Sequence, residues 1–339
     1  MFSRQTEQLS DLVDARPGEG PRYVFGADIG GTNLRLALAD STGAIVGRWA
    51  ASTADLGSAL AVVELICAGA EALLLQTGVT RESVIAIAAG VPGITDVDRS
   101  IVIATSYLMG WIDVPLGAML ENALGMPAAI DNDVNLAALG EGCAGASQGI
   151  SDFVFVGIGT GIGAGIILNG ESFRGSGWTA GEIGYMLVPG GSEEPVERSR
   201  PGSLEETAGG AGIRAQWDEL WNADATTLPR DATATQIFDD ADRNILAHSL
   251  LQKVAKSLTY AIYNTSLVLN CPLFVFGGGV GIHPALLSTI QKLLNATPAR
   301  VQPKLVLSAL GEDAQLIGAI YLALRTAGLG TPAIRTNAG

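Results

Sequence analysis

Histidine and cysteine are scarce in this chain. Among 339 residues there are two histidines, His248 and His283, and three cysteines, Cys67, Cys143 and Cys271. The cysteines are scattered, odd in number and never in CxxC spacing. That speaks against a disulfide framework or a thiolate zinc site, and it fits the reducing conditions of a cytoplasmic protein. Charge is sparse too, at 16% of residues, and it leans acidic: 34 Asp and Glu against 20 Lys and Arg, a formal net charge of −14. No Lys/Arg cluster offsets this balance, which argues against a large nucleic-acid or anionic-membrane surface. An anionic ligand would have to be held by backbone dipoles or by a metal. Residues 1–21 lack the apolar segment of a signal peptide and read as a polar tail. No apolar run reads as long enough to cross a bilayer. With 48% apolar residues, the chain can bury a sizeable core, and its length suggests about two domains.

Strand and helix patterns alternate. YVFGADIGGTNLRLALADSTGAIVGRWAAS, residues 23–52, reads as three strands joined by tight turns. A helical pattern follows at 56–76, then a strand at 84–93, a helix at 115–124, a buried strand at 127–131 and a helix after Asp133. DFVFVGIGTGIGAGIILNGESFRG, residues 152–175, then repeats the opening unit: a β-run, a Gly-rich turn and an apolar strand. Residues 187–203 read as a long polar loop, 204–222 and 241–269 as helices, and 273–281 as a strand ending in a glycine knot. A strand, KLVLSAL, and a helix, EDAQLIGAIYLALRTAG, close the pattern. Two similar halves predict two α/β lobes around a cleft. The boundaries expected are a small lobe at 22–133, a large lobe at 134–317, and a helix in 318–339 that returns to the small lobe before the tail.

Three Gly-rich turns each follow an apolar strand: DIGGTN (28–33), GIGTGIGAG (157–165) and FGGGVG (276–281). Glycine lets successive N–H groups converge on phosphate oxygens. Any one of them is explained as well by a hairpin turn. None is followed by GK[ST], and GIGTGIGAG leads into a strand, so neither a Walker loop nor a dinucleotide fingerprint is present. Asp28 would repel a phosphate unless a cation lay between them, and Mg²⁺ bound through water is the natural bridge; the other reading is an Asx-turn. AAIDNDVNLAALGEG, residues 128–142, puts Asp131, Asn132 and Asp133 where a strand ends and a helix begins. Helix capping accounts for such residues, and so would a carboxylate aimed at a substrate.

Taken in order and at their spacings, DIGGTNLRLAL, GVPG, IDNDVNLAALGEG, GIGTGIGAGIILNG, GWTAGEIGY, FGGGVG and LGEDAQLIGAIYLAL resemble the ROK family of bacterial sugar kinases and sugar-responsive repressors. The resemblance covers about residues 22–328. It implies the actin-like, ribonuclease-H-like duplicated fold and an ATP- and Mg²⁺-dependent kinase. It implies Asp133 as the catalytic base and Asn132, Glu182 and Glu205 as sugar ligands, with Asp131 mainly structural. Gly30, Gly31, Thr32 and Asn33 would line one phosphate side, and Gly159, Thr160 and Gly161 the other. Gly277, Gly278 and Gly279 would pack near the adenosine. A carboxylate at a helix N-terminus is expected to stay ionised near neutral pH. Within SLEE (203–206), Ser203 and Glu206 have capping-box spacing, which frees Glu205.

Departures from the family matter as well. Many ROK kinases hold a structural zinc with the His of GEIGH and three Cys in a CxCGxxGC pattern. Here Tyr185 stands in the His place and RSRPGSLEE has no Cys, so no structural zinc is expected. Tyr185 can still donate to a sugar hydroxyl. Tyr107 takes a place where the family often has Asn. Trp111 and Trp178 could stack on a sugar, with packing as the other reading, and Lys253 and Lys256 read as solvated. The function implied is phosphorylation of a hexose primary hydroxyl, most simply glucose at O6; N-acetylmannosamine, fructose, mannose and allose are alternatives. A repressor would need an N-terminal DNA-binding module for which about 22 non-basic residues leave no room. A catalytically silent sugar-binding protein is the other rival. A homodimer or homotetramer is implied by the family.

Overall fold

Buried, mostly apolar runs build the centre of the first sheet. Tyr23–Ile29 forms β1, Asn33–Asp40 forms β2 and Ile45–Ser52 forms β3, an antiparallel meander. Its second turn is an Asx-turn: Asp40 Oδ1 accepts from the N–H groups of Thr42 and Ala44 at 2.8 and 3.1 Å. Next come α1 (Ala59–Thr77), β4 (Val84–Val91), β5 (Ile94–Asp96), β6 (Ile101–Ala104), β7 (Ile112–Val114), α2 (Leu116–Leu124), β8 (Ala128–Asn132) and α3 (Asp133–Ala144). The second half holds β9 (Phe153–Ile158), β10 (Ile162–Leu168), β11 (Glu171–Ser172), α4 (Ser203–Ala208), α5 (Gly210–Leu220), α6 (Ala234–Asp239) and α7 (Ile245–Leu269). It ends with β12 (Leu273–Gly277), α8 (Pro284–Ala296), β13 (Lys304–Leu307) and α9 (Ala314–Thr326). This computed structural model describes residues 20–330, apart from 55, 106, 107, 109, 198–199, 298–299 and 301.

The two halves share one topology. The first sheet runs β3-β2-β1-β4-β8 and the second β11-β10-β9-β12-β13. In each, the first three strands are antiparallel and the last two lie parallel to the central strand. This is the duplicated α/β architecture that the sequence predicts.

Three cores stack in layers. Phe25, Ala27 and Ile29 of β1 face α1 and α2, whereas the opposite face of the sheet, with Val24, Ala37, Ala86 and Ala88, meets α3 and α9. Phe153, Phe155, Leu273 and Val275 of the second sheet cover α3 and α9 from the other side. The second sheet's outer face packs on α7 and α8. So α3 and α9 form a middle layer, and α9 lies against β1 and β4 of the first sheet. Their N-terminal residues, Asp133 and Val134 of α3 and Ala314 and Gln315 of α9, open into one cleft.

Several expectations need correcting. Helix α1 spans 19 residues with a mean hydropathy of 1.8 in its most apolar window, so one segment does reach membrane-spanning length and apolarity. It nevertheless buries Val62, Val63, Ile66, Ala70 and Leu73 against the first sheet, as a core helix does. The helical stretch at 204–222 is two helices, because Gly209 ends α4 and caps α5. SLEE is not a capping box: Gly202 is the N-cap of α4, Ser203 is already helical, and its Oγ instead accepts from the Val188 N–H at 3.3 Å. The small sheet β5-β6-β7 and helices α6 and α8 are additions to the sequence reading. The polar tail and Tyr107 lie outside the described residues.

Candidate active site

At the opening of α3 the capping side chain and the neighbouring cleft carboxylate are different residues. Asn132 is the cap: its Oδ1 accepts from the N–H groups of Val134 and Asn135 at 2.9 and 3.2 Å, and its Nδ2 donates to the Gly93 carbonyl at 2.9 Å. Asp133 is the first helical residue; its Oδ1 shares the Val134 N–H with the cap, and its carboxylate lies on the cleft wall. Asp131 points away from both roles. It is buried and accepts from Arg174 Nε at 3.1 Å, Asn135 Nδ2 at 3.1 Å and the Asn132 N–H at 2.8 Å. Close packing seats this helix start. A side-chain carbon at Gly165 of β10 would come within 2.6 Å of the Val134 carbonyl oxygen and of Ala138 Cβ.

The charge state of Asp133 differs from the expectation. Its pKa is pushed up to about 7, by burial first and then by the charge of Asp28, with Glu182 adding to the rise. The Val134 N–H donates to Asp133 Oδ1 at 2.9 Å and opposes the shift. Desolvation and like charge therefore outweigh the helix N-terminus. Near neutral pH the group is poised between its two states.

The first two Gly-rich turns share a hydrogen-bond pattern. In DIGGTN the Gly30 carbonyl accepts from Thr53 Oγ at 2.7 Å and the Thr32 carbonyl from the Thr53 N–H at 3.0 Å. In the second turn the carbonyls of Gly159, Thr160 and Gly161 accept from the N–H groups of Gly210, Ala211 and Gly159 at 2.9, 3.0 and 3.0 Å. Among the described residues, the N–H groups of Gly31, Thr32, Thr160 and Gly161 have no partner. Both turns thus tie back their acceptors and leave donors on a shared cleft, which is the character of an anion cradle. The third turn lies beside the second: the N–H groups of Val280 and Gly281 both donate to the Ile158 carbonyl, at 3.0 and 3.1 Å. Gly278 and Gly279 line the cleft. Gly277 does not; a Cβ there would strike the Phe155 ring at 2.2 Å, so this glycine serves packing and not the cleft.

Asp28 sits at the end of β1 and is buried, which raises its pKa against the lowering effect of Arg35. Arg35 donates to Asp28 Oδ2 from Nε at 2.9 Å and from an Nη at 2.5 Å, and reaches Gln315 Oε1 at 3.2 Å. A resident cation therefore already stands beside Asp28, where the sequence reading had only Mg²⁺. Among the described residues no group of three or more His, Cys, Asp or Glu side chains could cage a metal.

The remaining predicted residues also reach the cleft. Glu182, Tyr185 and Glu205 line the cleft with Asn132 and Asp133. Gly181, at φ 96°, lets this segment lie flat on β10, and its carbonyl accepts from the Ala164 N–H at 2.8 Å. Glu205 Oε2 accepts from the Ile162 N–H at 2.8 Å, which joins this part of the cleft to the second Gly-rich turn. Trp111 is packed in the core, 3% exposed, and borders the cleft from there, while Trp178 lines it at φ 61°. Lys253 and Lys256 are exposed. The cleft encloses ≈ 2000 Å³, enough for a nucleotide and a small second substrate together. Arg35, Thr53 and Arg174 were not foreseen. The hairpin register that sets Arg35 opposite Asp28 was a usable signal for the first; Arg174 meets Asp131 across 43 residues and left none.

The chain is similar to known proteins over most of its length. A model of the ROK family matches residues 24–326. A glucokinase of Halalkalibacterium halodurans is 31% identical over 313 residues, covering 89% of this chain and 94% of that protein. An N-acetylmannosamine kinase of Salmonella arizonae is 30% identical over 299 residues, covering 87% and 96%. The crystal structure of a ROK family glucokinase from Streptomyces griseus in complex with glucose and AMPPNP superposes with a TM-score of 0.73 at 26% identity, covering 89% of this chain and 99% of that one.

Proposed function

The chain belongs to the ROK family, and on that premise we propose that it is an ATP-dependent sugar kinase that passes the γ-phosphoryl group to a hexose primary hydroxyl, most simply O6 of glucose. One observation supports this reading above the others: Asp133, with a pKa near 7, opens into a cleft between two turns that each leave two N–H groups without a partner among the described residues. Phosphoryl transfer asks mainly for positioning and charge stabilisation. Asp133 orients the hydroxyl and takes its proton late, and a base whose pKa lies near the working pH suits that task. The N–H groups of Gly31 and Thr32 on one side, and of Thr160 and Gly161 on the other, hold phosphate oxygens. Asn33 closes the first turn, and Gly278 and Gly279 border the adenosine.

Mg²⁺, when bound, would supply charge neutralisation for the phosphoryl group being transferred. The residues fit such an ion. Arg35 engages only Oδ2 of Asp28, which leaves Oδ1 to hold a hydrated Mg²⁺ through water, and Mg²⁺ is usually held by one or two carboxylates rather than a cage. On the sugar side Asn132, Glu182, Tyr185 and Glu205 accept from or donate to hydroxyls. The halves at 22–133 and 134–317, with α9 (Ala314–Thr326 and not 318–339) returned to the sheet of the first, act as two lobes that close over the substrates. We place the protein in the cytoplasm as a homodimer or homotetramer with no structural zinc. Glucose ranks first because a relative covering most of the chain is a glucokinase, while a comparably similar one is an N-acetylmannosamine kinase.

The test is coupled ADP release with Mg-ATP against a panel of hexoses and N-acetylhexosamines. Turnover on one sugar names the substrate. Absence of turnover on all of them, with sugar binding still measurable, would refute the kinase reading with ATP as donor.

A further inference from the structure

Asp131 and Arg174 form an ion pair that the chemistry above does not use. Asp131 is the penultimate residue of β8, two residues before Asp133, and is 1% exposed. Its carboxylate accepts from Arg174 Nε at 3.1 Å on Oδ2 and 3.3 Å on Oδ1, and from an Arg174 Nη as well. The same carboxylate accepts from Asn135 Nδ2 at 3.1 Å, in the first turn of α3. Arg174 is held on its own side too, since Nη1 donates to the Ser172 carbonyl at 3.1 Å. A planar fork on a planar carboxylate fixes distance and orientation together.

Arg174 also opens a loop that reaches the substrate wall. Its carbonyl accepts from the Ala180 N–H at 3.1 Å, which closes residues 174–180 on themselves. The loop contains Gly175 at φ 67° and Trp178 at φ 61°, and a bulky residue in the left-handed region persists only where its surroundings hold it. Trp178, Thr179, Ala180, Gly181 and Glu182 all line the cleft. The loop is therefore fastened at two points: Gly181 to β10, and Arg174 to the start of the helix that carries Asp133.

We propose that Arg174 is a positioning residue: through Asp131 it holds the loop bearing Trp178 and Glu182 in register with the carboxylate of Asp133. This rests on the kinase reading, with the loop as part of the acceptor-sugar wall. A misplacement of about 1 Å in such a wall can cost on the order of a hundredfold in rate.

Removing Arg174 alone leaves a buried, unpaired carboxylate, which endangers folding. The decisive variant is thus the double replacement Asp131→Asn with Arg174→Met, which takes out both charges, with Arg174→Lys beside it. Wild-type turnover on the sugar panel decides the kinase reading independently. For the double variant we expect a thermal midpoint close to wild type and KM for ATP within about twofold. Sugar KM should rise, and kcat fall, by about tenfold or more. Arg174→Lys, with the charge but without the fork, should fall between. Backbone hydrogen exchange, which needs no turnover, should speed up in 174–182 and stay unchanged in α3. A double variant with wild-type kcat, sugar KM and exchange in 174–182 would overturn the proposal, as would equal losses toward sugar and ATP. If the double variant fails to fold, Arg174→Lys decides: wild-type sugar KM, kcat and loop exchange in that protein reject it, and selective loss on the sugar side sustains it.

Discussion

Asp133 carries two demands that oppose each other. Burial beside Asp28 and Glu182 disfavours its charge, and catalysis needs that charge. With the folded pKa near 7 and an unfolded value near 3.8, the native state holds the proton more tightly. Stability is therefore fully present below the unfolded value and is lost as pH rises toward the folded one. Asp133→Asn should raise the thermal midpoint at pH 8, by up to a few kcal/mol of stability, and the gain should vanish near pH 4. Equal midpoints at pH 8 would mean that the carboxylate is not strained. The same pKa should appear in kcat/KM for the sugar as a rise with pH centred near 7, because the base works deprotonated; a flat profile from pH 6 to 8 would contradict it. At this scale the sequence marked Asn132 and Asp133 as a pair, and both lie on the cleft. It could not say which one caps, because both residue types do so equally well, nor that burial would outweigh the helix terminus at Asp133.

Helix α3 is the element on which the site depends. Besides Asp133 at its start it holds Glu141, fully buried, whose carboxylate accepts from the N–H groups of Ala146 at 2.6 Å and Leu310 at 3.0 Å and from the hydroxyl of Ser308. Glu141 thus ties α3 to the connection that leads into α9. Glu141→Gln turns an NH₂ toward those donors and should cost about 1–3 kcal/mol, read as a lower urea midpoint with an unchanged slope. Loss of less than a few tenths would show that the carboxylate is dispensable. Gly165→Val meets backbone as well as a side chain, so it should destabilise by about 1–3 kcal/mol and lower kcat with it, through the displaced start of α3. Most elements were legible from period alone. The sequence reading leaves 284–296 unassigned, although Leu286, Ile290 and Leu294 recur every four residues behind Pro284. Strands β5, β6 and β7, of three or four residues each, carry too few alternations to read.

Across the whole molecule, two sheets enclose a helical layer, and the cleft draws residues from both halves. A sugar and a nucleotide bound together should raise the thermal midpoint more than the sum of each alone, because each orders a wall that Glu205 links to the other. Strictly additive shifts would contradict such coupling. The stretch before α4 is fastened by the Val188 N–H on Ser203 Oγ and by the Leu204 N–H on the Met186 carbonyl at 3.1 Å. Chelation should therefore stop turnover by removing Mg²⁺ and leave the thermal midpoint in place; a fall of several degrees would reveal a structural metal. The duplication and the cleft could be read from the repeated β–turn–β unit. The fastenings across the cleft could not, since they join residues far apart in the chain.

The most direct measurement is ADP release by wild type and by Asp133→Asn on the preferred sugar, with sugar affinity measured by calorimetry in both. The account predicts that turnover falls by about 10²–10⁴-fold while sugar affinity stays within a few-fold. Turnover retained within about tenfold would remove Asp133 from the role of base.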